Sequence, residues 1–267
     1  MLICIQFFIL YNENNKLKRY YIARDIVMSK EITVIIPTYN EERNIIPCLR
    51  SIFNQNLQHV DKVIIADNYS KDKTIEISKN YDITIVKGGI PTVARNNGAK
   101  AAMTKYLLFI DADTKLTEDF FEKALTTFIR KKLKVATFYI KPDPVDSFNR
   151  FLFYFYNKIS FIIAKLSLPI IITAGCCILV DKSVHDIIHG FSEKMRVLEE
   201  YEYIKQIKKH GKFNIIPIYV FTSTRRFLPG NRLKQTIILF IYYLKWLISG
   251  NIEKDFLGYW KEYGKTQ

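Results

Sequence analysis

Two carboxylates one residue apart, Asp111 and Asp113, close the run "YLLFIDAD" (106–113). Apolar residues lead straight into them, so the acids stand where a buried strand leaves the core. Other polar residues occupy comparable places: Thr38, Tyr39, Asn40 and Glu41 after "ITVIIP", Asp67 and Asn68 after "KVIIA", and Lys87 after "DITIV". Hard cations such as Mg²⁺ and Mn²⁺ take carboxylate oxygens, usually one or two from the protein, and complete their shell with phosphate oxygens. The chain has 40 Lys+Arg against 26 Asp+Glu, a net charge of +14. Acids gathered at strand ends in so basic a chain point to a divalent cation, Mn²⁺ or Mg²⁺, bridging to an anionic ligand. Asp-x-Asp alone is an ordinary loop spacing, and its meaning depends on what else reaches the same place.

The elements that must bring these residues together alternate in type. "ITVIIP" (32–37) is a β-branched apolar run that reads as a strand buried on both faces. Residues 44–55 have helical spacing in Ile45, Ile46, Leu49 and Ile52. Residues 61–68 read as a second strand, 71–81 as a helix, 82–88 as a third strand, and 92–103 as a helix carrying Arg95 in its first turn. A fourth strand covers 105–113, a helix follows over 117–131 with Thr117 as N-cap, and a fifth strand covers 134–141. Such alternation predicts an α/β fold with a mostly parallel sheet flanked by helices. Ligands of such sheets bind beyond the carboxyl ends of the strands, where these polar residues fall.

Composition allows one large domain or two small ones, since 267 residues at 49% hydrophobic content can fill a sizeable core. The four cysteines, Cys4, Cys48, Cys176 and Cys177, have neither CxxC spacing nor a secreted disulfide pattern, and read as structural residues of a reducing compartment. Residues 1–28 form an N-terminal extension. Its run "MLICIQFFIL" is too short to span a bilayer and lacks a basic leader, so it reads as an over-extended start or a surface anchor.

Four blocks together resemble family 2 glycosyltransferases with the GT-A fold: "VIIPTYNEERNI" (34–45), "VIIADNYSKDKT" (63–74), "ARNNGAKAA" with "YLLFIDADT" (94–114), and "GFSEKMRVLEEYEYIKQIKKHGKF" (190–213). The resemblance covers about residues 30–225. It implies a Rossmann-like mixed sheet in a domain over 29–225, with a nucleotide-sugar-binding half (29–140), an acceptor half (141–225), and a C-terminal amphipathic helical region (226–267). The implied activity is inverting, non-processive, metal-dependent transfer of a sugar, a hexose by preference, from a nucleoside-diphosphate sugar to an acceptor hydroxyl in cell-envelope, glycolipid or glycan synthesis. The Gln-x-x-Arg-Trp signature of processive members is missing.

By the same resemblance Pro37, Tyr39, Glu41 and Arg95 line the nucleotide pocket, and Asp67 binds the base. Asn68 and Tyr69 replace the second Asp and the Gly of the family's usual block, which puts the turn and the base preference in question. Asp111 faces ribose and metal, and Asp113 ligates the metal directly. In "LEEYEY" the resemblance makes Glu200 the catalytic base, with Glu199 and Glu202 beside it; Gly175, Gly190 and Phe191 match the acceptor side. A carboxylate suits the base role because it accepts a proton at neutral pH. Arg225 and Arg226 in "STRRF" carry the guanidinium geometry for a diphosphate clamp, or form a solvated basic pair.

Residues 151–172 and 233–250 are apolar, aromatic and of membrane length, but Lys158, Lys165 and Lys245 interrupt them. Each Lys costs about 2.5–3.5 kcal/mol at the centre of a spanning helix, so helices lying in a membrane surface or buried in a core are expected instead. The expected location is cytoplasmic, peripheral at the inner face of the membrane. The expected partners are the nucleotide-sugar donor, a lipid- or glycan-type acceptor and a membrane surface, with no nucleic acid. His185 and His189 lack a third zinc ligand and read as surface residues, and the "KGG" at 87–89 reads as a turn. Two rival readings differ in kind. A basic non-catalytic RNA- or lipid-binding protein gives no reason for acids at successive strand ends, and a sugar nucleotidyltransferase needs a Gly-rich phosphate loop after the first strand that "PTYNEERN" does not provide.

Overall fold

The computed structural model describes residues 5–11, 17–23, 30–144, 147–166, 173–225, 232–250 and 252–258. Its centre is β3 (Ile32–Thr38), preceded by a separate antiparallel hairpin of β1 (Ile5–Tyr11) and β2 (Leu17–Ala23) in which Ile5 pairs with Ala23 and Tyr11 with Leu17. Alternation along β3 feeds two cores. Ile32, Val34 and Ile36 join one layer, which also takes Ile45, Cys48, Leu49 and Ile52 of α1 (Ile45–Phe53) and Phe120, Phe121 and Phe128 of α4 (Phe120–Arg130). Ile35 faces the other layer, with Tyr203, Ile204 and Ile207 of α7 (Glu199–Ile207) and Ile238, Tyr242 and Trp246 of α8 (Arg232–Ser249). Strands buried on both faces read as unbroken apolar runs for this reason.

Beside β3 run β4 (Val60–Asp67), β5 (Thr84–Lys87) and β6 (Tyr106–Ile110), all parallel. The short α2 (Thr74–Ser78) and α3 (Pro91–Lys100) connect them. β7 (Thr114–Leu116) and β8 (Leu133–Asp143) follow. After α5 (Ser147–Lys165), β9 (Cys177–Asp181) inserts antiparallel between β6 and β8; α6 (Lys182–Ile187) precedes α7, and β10 (Lys212–Ser223) lies parallel to β8. The eight-stranded order is β5-β4-β3-β6-β9-β8-β10-β7. The mixed, mostly parallel sheet flanked by helices is thus as expected, with β9 and β7 as its antiparallel members.

β7 follows β6 after three residues, yet β6 is fourth in the sheet and β7 is its last strand, paired with β10 from Leu116 against Val220 to Thr114 against Thr222. The sheet therefore curls, and Asp111-Ala112-Asp113 spans the gap. The expected strand over 105–113 stops at Ile110, and both acids lie in a turn where the Thr114 amide donates to the Asp111 carbonyl at 3.0 Å.

Thr117 does not cap α4. Its hydroxyl donates to the Tyr219 carbonyl at 2.9 Å, and the orphan amide of Phe120 is satisfied by Gln55 Oε1 at 2.8 Å, with Asp119 in the left-handed region at φ 54°. His185 is not a surface residue: it is buried, its Nδ1 lies 2.7 Å from the Tyr203 hydroxyl, and burial pushes its pKa down to about 4. The C-terminal helix is amphipathic as expected, burying Ile238, Tyr242 and Trp246 at helical spacing.

α3 sits close on the sheet because it presents Gly98 to Ile35. A Cβ at Gly98 would lie 2.3 Å from Ile35 Cγ2. Gly98→Ala should therefore destabilise the fold by ~1–3 kcal/mol despite alanine's better helix propensity, read as a lower denaturation midpoint in urea. A more stable variant would show that this packing gives way freely.

Candidate active site

The strand ends converge as two ion-pair groups. In the first, Arg225, just beyond β10, reaches Glu41 with both terminal nitrogens, Nη1 to Oε2 at 2.9 Å and Nη2 to Oε1 at 2.6 Å, and Nη2 lies 3.3 Å from Asp113 Oδ2. Glu41 is buried and further fixed: its Oε2 accepts from Asn44 Nδ2 at 2.6 Å and its amide donates to Thr74 Oγ1 at 2.7 Å. Burial opposes Arg225's charge, but the hydrogen bond to Glu41 and the charge of Asp113 hold its pKa above the usual value.

The second group is buried more deeply. Arg95 of α3 is 4% exposed, with Nη2 3.0 Å from Asp111 Oδ1 and Nη1 2.8 Å from Glu199 Oε1; its guanidinium also lies 5.3 Å from the centre of the Phe191 ring. Burial opposes this cation, and the charges of Asp111 and Glu199 more than offset it. The resemblance sets an arginine near the nucleotide, but both terminal nitrogens are engaged by protein acids, so Arg95 acts on the crevice through Asp111 and Glu199. Leu198, at φ 58°, turns the chain into α7, and the acids that follow complement the amino end of the helix.

Glu200 is half-buried in the wall beside Gly175. A Cβ at Gly175 would lie 2.5 Å from Glu200 Cγ, so only glycine leaves the carboxylate this seat. Burial, then the neighbouring charge of Glu199, pushes the Glu200 carboxyl up to about 8. Tyr156 of α5 and Tyr201 of α7 hydrogen-bond to each other in the same wall, and the charge of Glu200 raises both phenols after burial has done so. Glu202 faces another way: its Oε2 accepts from Trp246 Nε1 at 3.2 Å and its Oε1 from Gln206 Nε2, which ties α7 to α8.

On the opposite side, Asp67 accepts from the Ser70 amide at 2.9 Å and the Ser70 hydroxyl at 2.5 Å, and Gly88, whose amide donates to the Asp67 carbonyl at 2.7 Å, has no room for a Cβ against that backbone. Tyr69 takes φ 56° and is 67% exposed. The turn that a glycine would adopt freely is thus made by a tyrosine held out over the edge. Pro37, one residue before the end of β3, is half-buried, and Tyr39 is exposed at the rim. Arg226 lies outside the described residues.

Sequence reasoning missed three contributors. Cys176, whose carbonyl accepts from the Asp111 amide at 2.9 Å, and Cys48, whose thiol lies 3.8 Å from the Asp111 carbonyl, line the underside of the acidic turn. Burial first, then the charges of Asp111 and Asp113, pushes both thiols far up. Asn96 clasps the segment between α6 and α7, donating from Nδ2 to the Phe191 carbonyl at 2.9 Å and accepting the Phe191 amide at 2.8 Å. Its place in "ARNNGAKAA", beside Arg95, was the available signal.

Among the described residues no three His, Cys, Asp or Glu side chains are grouped to hold a metal on their own. Two aspartates presenting oxygen, next to thiols that stay protonated, nevertheless fit a hard cation that takes its other ligands from a diphosphate. Asp113 and Asp111 would hold it.

Fold and crevice together define the GT-A class of nucleotide-sugar-dependent enzyme folds. The chain belongs to glycosyl transferase family 2, whose model matches residues 33–188. It is 30% identical over 115 residues to the uncharacterized glycosyltransferase YibD of Escherichia coli, covering 40% of this chain and 33% of that one. It is 34% identical over 93 residues to the poly(ribitol-phosphate) beta-glucosyltransferase of Bacillus spizizenii, covering 31% and 15%. The mannosyltransferase PcManGT of Pyrobaculum calidifontis, solved with GDP-Man and Mn²⁺, superposes with a TM-score of 0.61 at 18% identity over 80% of this chain and 64% of that chain. The matches span a third or less of the two curated relatives.

Glu200 makes stability depend on pH in a defined direction. Below its ordinary pKa of 4.5 the carboxyl is protonated whether folded or not; above about 8 the fold carries the full cost of the buried charge. Glu200→Gln should therefore raise the melting temperature at pH ~9 by several degrees and hardly at all at pH ~4, followed by circular dichroism. An equal change at both values would refute the burial of this charge.

Proposed function

We propose that the chain is an inverting, non-processive, metal-dependent glycosyltransferase, a hexosyltransferase by preference, that moves a sugar from a nucleoside diphosphate to an acceptor hydroxyl. The observation that carries this reading is the double ion pair of Arg95, because it joins an acid of the donor crevice, Asp111, to the residue next to the candidate base, Glu199. Residues 29–140 form the donor half, 141–225 the acceptor half, 1–28 an extension and 226–267 an amphipathic appendage. Within the donor half, Pro37, Tyr39 and Asp67 take the base and ribose, and Asp111 the ribose and metal.

Glu200 accepts the proton of the acceptor hydroxyl in its ionised form, which burial and Glu199 make the minority form below about pH 8 and correspondingly the stronger base. The freed oxygen forms a bond to the anomeric carbon on the face opposite the nucleotide, and the bond from that carbon to the diphosphate oxygen breaks with its electron pair leaving on the diphosphate. A divalent cation on Asp113 and Asp111 would supply positive charge to the leaving group. Arg225, whose fork Glu41 and Asp113 engage, is placed to turn to the diphosphate, which would leave Asp113 to the cation. Glu199 and Arg95 position the base, Gly175 leaves it room, and Glu202 seats the helix that carries it. The acceptor is of lipid or glycan type in the cell envelope, reached from the cytoplasmic side at the inner face of a membrane; no nucleic acid takes part. The name of the Bacillus spizizenii relative supports an envelope polymer as the general destination.

Thermal shift with a panel of nucleoside diphosphates plus Mn²⁺ tests the donor site: one of them should raise the melting temperature, and Asp113→Ala should abolish that rise. No shift with any of them would sink the proposal. Glu200→Gln should keep the thermal shift and lower kcat ~10²–10⁴-fold. Arg225→Gln should weaken nucleoside diphosphate binding ~10–100-fold in calorimetry while Mn²⁺ alone binds no more weakly than to the parent; weaker Mn²⁺ binding would refute the exchange of partners.

A further inference from the structure

Two helices carry most of the large apolar side chains that the described chain exposes. On α5, Phe151 is 65% exposed, and Phe155 and Ile162 stand with it; on α8, Phe240 is 59% and Ile248 88% exposed, with Leu247 alongside. Their inward faces are accounted for. Phe153, Asn157, Ser160 and Ala164 of α5 pack inward, Asn157 bonding the Ile140 backbone of β8 through both amide atoms, and α8 buries Ile238, Tyr242 and Trp246. The outward faces have no counterpart among the described residues.

Charge on these helices is of one sign. Neither 147–166 nor 232–250 contains Asp or Glu, while Arg150, Lys158, Lys165, Lys234 and Lys245 are all exposed. Lys158 Nζ lies 5.6 Å from the centre of the Tyr154 ring, and Lys234 stands at an apolar cleft shared with Ile237, Ile238 and Leu257. No helix among the described residues is long and apolar enough to cross a membrane. Aromatic and aliphatic side chains interleaved with lysines, on helices that lie along a surface, match a bilayer interface: rings enter the headgroup boundary and ammonium groups meet lipid phosphates. An interface between proteins would deplete lysine at its centre.

We propose that the outward faces of α5 and α8 dock the protein on a bilayer containing anionic lipid. The two helices meet at Tyr201, whose ring centre lies 5.7 Å from those of both Tyr243 and Trp246 of α8, and whose hydroxyl bonds Tyr156 of α5. Tyr201 adjoins Glu200. The docking face therefore backs directly onto the wall that holds the candidate base, and, resting on the function proposed above, the acceptor hydroxyl belongs to a lipid-anchored molecule presented at that surface.

Sedimentation of the full chain with vesicles tests the docking. The chain should bind equimolar phosphatidylcholine and phosphatidylglycerol ~10-fold or more tightly than phosphatidylcholine alone, and less tightly as salt rises. The double variant Phe151→Ser, Phe240→Ser should lose at least ~10-fold in vesicle binding while retaining the parent's circular dichroism and its thermal shift with nucleoside diphosphate and Mn²⁺. Lys158→Glu with Lys165→Glu, which leaves the apolar face intact, should remove the preference for anionic lipid. Retention of the parent chain in the supernatant with both vesicle types overturns the proposal. So does a dimer, seen by light scattering, that the Phe151→Ser, Phe240→Ser variant dissolves in a chain that does not bind vesicles, since the face would then belong to a second copy. Vesicle binding without any nucleotide-dependent thermal shift would leave the docking standing and remove the transferase reading instead.

Discussion

A single buried guanidinium holds the halves of the crevice in register. Arg95 leaves α3 and spends its two terminal nitrogens on Asp111 just beyond β6 and Glu199 at the start of α7. Burying a charge is costly unless it is paired and hydrogen-bonded, so removing either acid would leave a cation stranded beneath the other. The turn after β6 and the first turn of α7 are thereby fixed relative to each other, although Asp111 and Glu199 are 88 positions apart in sequence. Glu200 takes its place from this arrangement: Glu199 is pinned on one side and Gly175 gives way on the other.

The curl of the sheet does comparable work for the donor side. Because β6 and β7 belong to distant positions of one curved sheet, the three residues between them must arch across its opening, and both aspartates stand on that arch. β10 returns to the same place and delivers Arg225. Its register against β8 slips between Ile216 and Tyr219, where Pro217 cannot donate a ladder hydrogen bond, before pairing resumes through Ser223 opposite Asp143.

How legible this was in sequence follows from the range of the interactions. Strands such as Ile32–Thr38 announce themselves through β-branched runs, and their acidic ends located the crevice without any knowledge of pairing. The ion pairs were not legible, because Glu41 and Arg225 are 184 positions apart and only the curl of the sheet joins them. Thr117 misled because its hydroxyl found a partner across the sheet, in Tyr219, while Gln55 from the bend after α1 capped α4. His185 misled for a related reason: α6 is so short that its exposed and buried faces cannot be separated by periodicity, and Tyr203 supplies the contact that takes the imidazole inside. Glu202 shares an acidic block with Glu199 and Glu200, yet on a helix the three point in different directions, and Trp246 claims the last of them.

The two thiols beneath the acidic turn bear on which metals the crevice can accept. Thiolate is a favoured ligand of zinc and copper, and a cysteine offers it only after losing its proton. Cys48 and Cys176 keep theirs because burial first, and then the carboxylates above them, disfavour a negative charge on sulfur. Burial and the aspartates together therefore keep the underside of the turn from offering thiolate to soft metals and electrophiles. Selectivity of this kind comes from the order in which neighbouring groups ionise, with no side chain added to enforce it.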